Sequence, residues 1–471
     1  MCKRRKYTAA LCMCVALCMA AVTACGSREK KSSDITEAYA LQSGEQTAAN
    51  QEKEQQKPWE SDLSEEYCST ENVVTEDHSE EGTVETAASG ETAADQETAS
   101  DQETVETTAS EEAAANQETV ASQKESPEIT IKMVGDILLH DRVAQYAKQE
   151  DGIYCFDVIF DGLEEEIKEA DLAIVNQEVI IAGEEYGVSG YPCFNAPFEL
   201  GDALVDAGFD VICHGTNHAL DKGKKGLLSC IDFWKTEYPE IAVLGIYETA
   251  DERDEIYIFE QDGIRVAVLN YTYGTNGIAL PGDMPYAVNL LEENQVVADI
   301  EKAEEMADFT IVCPHWGTEY VLEETGEQRR WAQIFLEHGV DLVLGTHPHV
   351  IEPVEILQDE ATGHEMLVYY SLGNFVNWTS SEGKGIANRM VGGMADVTIG
   401  FAETGEVVVK DYSVTAVVTH LESEINGVYT TRLSDYSQEL SLENEIIAQD
   451  PAFSKEYCVD LCDQVWGELW Q

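Results

Sequence analysis

From Glu128 onward, short apolar runs alternate with segments in which apolar residues recur every three to four positions. The short runs suit strands buried on both faces, whereas the longer spacing puts apolar side chains on one face of a helix. Strands are predicted at 129–134, 172–175, 210–213, 241–244, 256–260, 265–270, 309–313, 342–344 and 366–370, and helices at 161–170, 198–207, 296–306 and 328–338. This alternation predicts an α/β fold with the helices outside the sheets.

The pattern changes between residues 391 and 418, where polar and apolar positions alternate. Such alternation is typical of antiparallel strands with one exposed face, so we predict antiparallel strands that join a second sheet. The folded domain is predicted to span 128–420. A C-terminal helical extension, 421–471, follows, because its apolar residues between Tyr457 and Trp470 recur at helical spacing.

The N-terminus has a different organisation. Basic residues at 3–6 precede an apolar run from Tyr7 to Val22, and small residues lead up to Cys25. Residues 1–25 are therefore similar to a bacterial lipoprotein signal peptide with its lipobox. The similarity implies lipid on Cys25 and a protein tethered to the extracellular face of the bacterial cytoplasmic membrane. An ordinary secretory signal and an uncleaved membrane anchor are the alternatives.

A long acidic segment separates this N-terminus from the predicted domain. Residues 26–127 consist mainly of Glu, Asp, Gln, Ser, Thr and Ala. They cannot bury enough apolar surface to offset the entropy of ordering, so we predict a disordered acidic stalk, with an acidic interaction tail as the alternative. The chain has 91 Asp and Glu against 28 Lys and Arg, a formal net charge of −63. This excess disfavours nucleic acid as a partner, because contact with phosphates depends on clustered Lys and Arg.

Polar residues that can bind metals follow several predicted strands. In open α/β folds, the loops at the carboxyl ends of the strands line the crevice where ligands bind. The motifs at these positions are Gly135-Asp136, Asn176-Gln177-Glu178, Asn217-His218 with Asp221, His315-Trp316 with Glu319, His347-Pro348-His349, and Ser371 with Asn374. Pro348 favours an extended His347, so both flanking imidazoles are predicted to face the same way. Carboxylate, amide and imidazole groups together favour a transition-metal or zinc site.

In order and spacing, these motifs resemble those of the CapA family of poly-γ-glutamate capsule synthesis proteins, which is similar to the calcineurin-like metallophosphoesterases. The resemblance covers residues 129–418. It implies a metallophosphoesterase-like two-sheet α/β sandwich and a metal-dependent hydrolase with one or two divalent ions of Mn, Fe or Zn. It also implies an anionic extracellular polymer and capsule-synthesis membrane subunits as partners.

The resemblance further implies roles for particular residues. The implied metal ligands are Asp136, Glu178, Asn217, His315, His347 and His349. His218 is the implied catalytic residue, an acid or electrostatic partner at the leaving oxygen, and Asp221 lies behind it. The residues expected to contact substrate or to support the ligands are Asn176, His140, Trp316, Glu319, Ser371 and Asn374.

The chain departs from the metallophosphoesterase pattern at the first strand. Where that pattern has Asp-x-His, the residue two positions after Asp136 is Leu138. His140 is the candidate replacement, and Glu178 would serve in place of the carboxylate that bridges two metals. Three functions stay open: a surface-anchored hydrolase acting in synthesis, export or anchoring of the polymer, a non-catalytic polymer-binding scaffold, and a generic secreted metallophosphoesterase.

Overall fold

The computed structural model of this protein describes residues 126–470. The strands are β1 (Glu128–Ile137), β2 (Leu172–Asn176), β3 (Val211–Cys213), β4 (Ala242–Leu244), β5 (Tyr257–Gln261), β6 (Ile264–Thr272), β7 (Phe309–His315), β8 (Leu342–Leu344), β9 (Val354–Gln358), β10 (Glu365–Tyr369), β11 (Asn374–Val376), β12 (Val391–Phe401), β13 (Val407–Leu421) and β14 (Val428–Arg432). The predicted signal peptide, with Cys25, and residues 26–125 of the predicted stalk lie outside the described residues.

Nine α-helices accompany these strands between residues 126 and 470. They are α1 (Asp141–Ala147), α2 (Glu164–Glu169), α3 (Phe198–Ala207), α4 (Gly223–Glu237), α5 (Ala250–Asp254), α6 (Glu293–Met306), α7 (Gly326–Glu337), α8 (Gln438–Ser441) and α9 (Lys455–Trp466). Short 3-10 helices lie at Asp157–Ile159, Glu184–Tyr186, Ala387–Met390, Glu445–Ala448 and Gly467–Leu469. Within this part of the chain, no helix has the length and apolar character needed to cross a bilayer.

The strands form two sheets. The first has the order β14-β13-β12-β1-β2-β3-β4, with β11 paired to β1, and the second has the order β5-β6-β7-β8-β10-β9. Neighbours from β1 to β4 are parallel, and so are β6, β7, β8 and β10. The carboxyl ends of the parallel strands therefore lie along one edge of each sheet. The predicted two-sheet α/β architecture is confirmed.

The alternation of side chains along the strands of the second sheet explains why apolar residues lie on both of its faces. In β6, Val266 and Val268 belong to the core shared with the first sheet, whereas Ala267 and Leu269 belong to a second apolar cluster. Successive side chains of a strand point to opposite faces, so this sheet is apolar on both sides. Helices α6 and α7 cover the outer side with residues such as Phe335. Each fully buried side chain of this size contributes roughly 1.5–3 kcal/mol to folding.

The antiparallel strands after residue 391 are present as β12 and β13, but the prediction that they join a second sheet is wrong. β12 pairs with β1 from Glu128↔Gly400 to Val134↔Met394, and β13 pairs with β12. Both strands therefore extend the first sheet. The polar and apolar alternation specifies one exposed face of a strand, but it does not identify the neighbouring strand.

The first sheet continues past residue 420. β13 pairs with β14 from Val417↔Arg432 to Leu421↔Val428, so the division drawn at residue 420 falls inside β13. Further on, α9 buries Trp466, whose indole N–H donates to the carbonyl oxygen of Glu352 at 3.0 Å. The C-terminal segment is thus packed onto the same sheets that carry the polar motifs.

Candidate metal centre

The motifs that follow the parallel strands converge on one buried group. Asp136 lies near the end of β1, and His315 is the last residue of β7. The loops after β2, β3 and β8 supply the remaining side chains. The group consists of Asp136, Glu178, Asn217, His218, His315, His347 and His349, all of them buried. Both sheets contribute because their parallel strands present their carboxyl ends to the same crevice.

Two sets of ligand atoms share Glu178. Atoms of Glu178, His315 and His347 lie within 4.8 Å of one another, and so do atoms of Asp136, Glu178 and His349. Both carboxylate oxygens of Glu178 and Nδ1 of His347 are buried and have no hydrogen-bond partner among the described residues. Buried polar atoms are nearly always paired, so these atoms are suited to bind a cation. The group is compatible with a divalent metal site.

Burial and neighbouring charge set the protonation of the group. Burial raises the pKa of Glu178 well above its usual value, and Asp136 adds to this effect while His349 opposes it. Burial and the other imidazoles hold the pKa of His315 and His347 well below the usual value, so both are neutral at pH 7, the form that binds metals.

His349 differs from the other two imidazoles. Burial acts to lower its pKa, but the Glu178 and Asp136 carboxylates outweigh this effect and raise it to about 10. The protonated imidazole supplies positive charge between two buried carboxylates. A bound cation at this position would supply the same charge and release the proton.

Hydrogen bonds orient the candidate ligands drawn from β1 and from the loop after β8. Nδ1 of His349 donates to Asp136 Oδ2 at 3.0 Å and lies 3.1 Å from Asn374 Oδ1. The Asn176 amide donates to Asp136 Oδ1 at 2.8 Å. These contacts leave Nε2 of His349 facing Glu178 Oε1 at 3.4 Å. Metal-binding imidazoles are usually oriented in this way through their second nitrogen.

His315 is held similarly from both sides. Its Nδ1 lies 3.1 Å from Thr346 Oγ1, and its Nε2 lies 2.9 Å from Asn217 Oδ1 and 3.9 Å from Glu178 Oε1. The amide oxygen, the imidazole and the carboxylate therefore meet at one point. Asn217 and His315 come from different sheets, so their contact depends on the stacking of the sheets.

His218 and Asp221 form a pair at the edge of the group. Nδ1 of His218 lies 2.7 Å from Asp221 Oδ2, which also accepts the backbone N–H of Phe194 at 2.7 Å. Nε2 of His218 lies 3.8 Å from Glu178 Oε1, and the Phe194 ring packs edge-on against the imidazole at 4.6 Å. A carboxylate on Nδ1 fixes the imidazole and leaves Nε2 available for proton transfer.

The loop that carries His347 and His349 has an unusual backbone. The sequence predicts an extended His347 before Pro348, but φ is 101° at His347 and 57° at His349. Positive φ is uncommon for residues with a Cβ, and it is retained only where surrounding contacts enforce it. Here Asn374 Nδ2 donates to the carbonyl oxygen of His349 at 3.0 Å. Both imidazoles reach the group, with ring centroids 5.7 Å apart.

Two residues expected to contact substrate or to support the ligands, Ser371 and Trp316, are held by other contacts. The Ser371 hydroxyl donates to the carbonyl oxygen of Val350 at 2.8 Å and accepts the Gly373 N–H at 3.1 Å, so it is used in shaping the loop. Trp316 packs on Phe335 and donates its indole N–H to the Tyr370 carbonyl at 2.9 Å. Trp316 directly follows His315, so its side chain points to the opposite, helix-covered face of the sheet.

At this location, Trp316 contributes to the stability of the fold. Replacing Trp316 with alanine is expected to lower the free energy of unfolding by about 3–5 kcal/mol, as for other buried tryptophans. Urea unfolding followed by circular dichroism measures this loss, and Trp316→Phe, which preserves most of the packing, serves as the control. An alanine variant with unchanged stability but reduced metal content would contradict this location.

His140 and Glu319 lie at the margin of the group. The His140 ring packs against Phe194, with centroids 5.2 Å apart, and burial lowers its pKa to about 3, with smaller contributions from His349 and His218. Glu319 is exposed, and its charge contributes to the raised pKa of Glu178. His140 is thus separated from His218 by an aromatic ring that touches both.

Sequence reasoning missed several residues around the centre. The Tyr273 ring lies 4.6 Å from that of His347, and Asn276 Nδ2 lies 3.4 Å from His218 Nδ1. Tyr273 follows β6 directly, so the rule that strand ends line the crevice could have identified it. Asn276 lies farther along the same loop, where Asn276-Gly277 predicts a turn but not its contact with His218.

Likeness to solved structures is low. The chain is similar to the NAD nucleotidase (NadN) of Haemophilus influenzae, with 12% identity and a TM-score of 0.41 over 74% of this chain and 64% of that one. It is also similar to a 5'-nucleotidase precursor from Thermus thermophilus, with 15% identity and a TM-score of 0.39 over 72% of this chain and 59% of that one.

Sequence relatives are more informative. The chain is 31% identical over 180 residues to the PGA biosynthesis protein CapA of Bacillus subtilis (strain 168), which covers 37% of this chain and 45% of that protein. It is 28% identical over 272 residues to the capsule biosynthesis protein CapA of Bacillus anthracis, covering 55% of this chain and 63% of that protein. The chain thus spans about half of the length of these relatives.

The model of the family described as bacterial capsule synthesis protein PGA_cap matches residues 130–379. The predicted membership is confirmed: the chain belongs to the PGA_cap family of bacterial capsule synthesis proteins.

Proposed function

We propose that this protein is a metal-dependent hydrolase that acts on an anionic capsular polymer, such as poly-γ-glutamate, during its synthesis, export or anchoring. The observation that carries the proposal is the buried Glu178 carboxylate, which has no hydrogen-bond partner among the described residues and belongs to two sets of ligand atoms. The protonated His349 imidazole, with Nε2 at 3.4 Å, offsets the charge of this carboxylate in part, and a bound cation would offset it further. Family membership supports the polymer as substrate.

The metal ligands in this proposal are those named from the sequence. Asp136, Glu178, Asn217, His315, His347 and His349 would hold one or two ions of Mn, Fe or Zn, with Glu178 shared. Oxygen and imidazole donors without thiolate suit these metals. When bound, the metal acts as a Lewis acid that polarises the scissile group and stabilises negative charge developing on it.

The chain's own side chains supply the proton transfer. His218 presents Nε2 toward Glu178, and its Nδ1 is fixed by Asp221 at 2.7 Å. We assign to His218 the donation of a proton from Nε2 to the leaving group, with the Asp221 carboxylate stabilising the charged imidazole. Phe194, packed against the His218 ring, excludes water from this side.

The proposed location is the extracellular face of the bacterial cytoplasmic membrane. Lipid on Cys25 would anchor the chain, and the acidic segment 26–127 would hold the domain away from the lipid surface. Capsule-synthesis membrane subunits are the proposed protein partners, since polymer leaving the membrane would meet the domain there.

The test combines purified protein and cells. The full chain is expected to contain divalent metal and to cleave γ-glutamyl or phosphodiester substrates, and cells with His347→Ala and His349→Ala are expected to lose polymer display. The control carries His338→Ala and His364→Ala, two histidines outside the group. It is expected to retain its metal and its polymer display. Absence of metal together with normal display in the first variant would refute the proposal. Polymer binding without turnover would indicate a scaffold, and rapid phosphate release from small monoesters would indicate a generic phosphoesterase.

A further inference from the structure

Arg389 is a half-buried cation without a carboxylate partner among the described residues. Five other arginines of this part of the chain form ion pairs, such as Arg253 with Asp299 and Arg265 with Asp308, whereas Arg142 stacks on Trp378. Nε of Arg389, in contrast, is buried and has no hydrogen-bond acceptor between residues 126 and 470. In a chain with 91 acidic and 28 basic residues, carboxylates are abundant. An unsatisfied buried donor is unfavourable, and because the side chain is only half-buried, an acceptor from outside the chain can reach the guanidinium and offset this cost.

Two contacts fix Arg389 beside the metal centre. Its guanidinium carbon lies 3.4 Å from the centroid of the Tyr320 ring, and that ring lies 6.0 Å from the His349 ring. The Asn374 amide donates to the carbonyl oxygens of both His349 and Arg389, at 3.0 Å each. The backbone and the side chain of Arg389 are thus both tied to a metal-ligand residue.

The guanidinium stays charged, although its surroundings lower its pKa. Burial lowers the pKa of Arg389, while Tyr320 and Glu319 raise it, and a guanidinium stays protonated at any physiological pH. Its charge in turn contributes to the lowered pKa of His140 at the margin of the centre. A guanidinium stacked on an aromatic ring keeps its N–H groups in the plane, where they can form two parallel hydrogen bonds to an oxyanion.

We propose that Arg389, stacked on Tyr320, binds an oxyanion of the substrate, a carboxylate or a phosphate, next to the metal centre. This inference rests on the proposed function and deepens it, because it names the group of the polymer that the site recognises. A chain with a formal charge of −63 repels an acidic polymer. A fixed guanidinium at the centre offsets this repulsion locally and orients the bound anion through paired hydrogen bonds.

The test measures binding by the metal-loaded full chain with calorimetry, using poly-γ-glutamate and inorganic phosphate as probes. Arg389→Gln is expected to weaken binding about 10- to 100-fold, the effect of losing charge-assisted hydrogen bonds. The affinity of Arg389→Lys is expected to lie between those of the wild type and Arg389→Gln, because lysine keeps the charge but cannot form two parallel hydrogen bonds. If Arg389→Gln weakens the binding of poly-γ-glutamate but not that of phosphate, the group bound by Arg389 is a carboxylate. If it weakens the binding of phosphate but not that of poly-γ-glutamate, the group is a phosphate.

Arg265→Gln is the matched control. It removes the same charge from the start of β6, away from the carboxyl end of the strand, and is expected to leave binding unchanged. Equal binding of both probes by wild type and Arg389→Gln would overturn the inference, and so would loss of metal in that variant. If binding depends on Arg389 but nothing is hydrolysed, the inference stands and the proposed hydrolase fails.

Discussion

Replacing Glu178 with glutamine is expected to remove most of the bound metal and to abolish hydrolysis. Glu178 belongs to both sets of ligand atoms, so one substitution removes the shared negative charge from both. Changes to residues that only support metal ligands lower affinity about 10- to 100-fold, and we expect at least the upper end of this range for a ligand. Metal content by mass spectrometry and metal titration by calorimetry measure the effect.

The matched control is Glu352→Gln. Glu352 is also fully buried, and one of its oxygens has no partner among the described residues while the other accepts from Gln328 at 2.6 Å. Burial raises the pKa of Glu352 to about 8, so this group is mostly protonated at pH 7 and glutamine resembles it. Unchanged metal in Glu352→Gln with loss in Glu178→Gln is the expected pair of results; full metal content in both would contradict the assignment of Glu178.

Replacing His218 with asparagine is expected to lower kcat by about 100- to 10,000-fold, the contribution of a positioned general acid. Metal content is expected to be retained, because His218 belongs to neither set of ligand atoms. The variant therefore separates chemistry from metal binding, which Glu178→Gln does not. Steady-state kinetics on the substrate that the wild type cleaves, together with metal analysis, measure both quantities.

His338→Asn is the control for this variant. Nδ1 of His338 lies 3.8 Å from Glu301 Oε1, so it is also an imidazole beside a carboxylate, but at the end of α7. The kcat of the His338→Asn variant is expected to equal that of the wild type. A His218→Asn enzyme with unchanged kcat would show that the leaving group receives its proton from another source.

That the site residues come together could be predicted, because this depends on signals in the local sequence. Asp136 and His315 occupy ends of buried strands, and parallel strands bring such ends together whatever the loops do. The location of Trp316 also follows from local geometry, since neighbours in a strand face opposite ways, although the motif around His315 suggested a place near substrate.

Other features depend on contacts between distant segments. Tyr320 and Arg389 are far apart in the chain, and their stacking follows from how the loop after β7 meets the 3-10 helix before β12. The pairing of β12 with β1 likewise joins residues more than 250 positions apart, as Val134↔Met394 illustrates. Periodicity in a single sequence contains no information about such partners.

The origin of the candidate ligands in two sheets would couple metal supply to folding. Asp136 belongs to the first sheet, whereas His315 ends a strand of the second, and Glu178 has ligand-atom neighbours from both. An ion bound at this junction would act as a cross-link between the layers. Since a ligand that binds only the folded state stabilises it by about 1.4 kcal/mol for each tenfold excess over its dissociation constant, the free energy of unfolding of the domain would rise with the concentration of free metal.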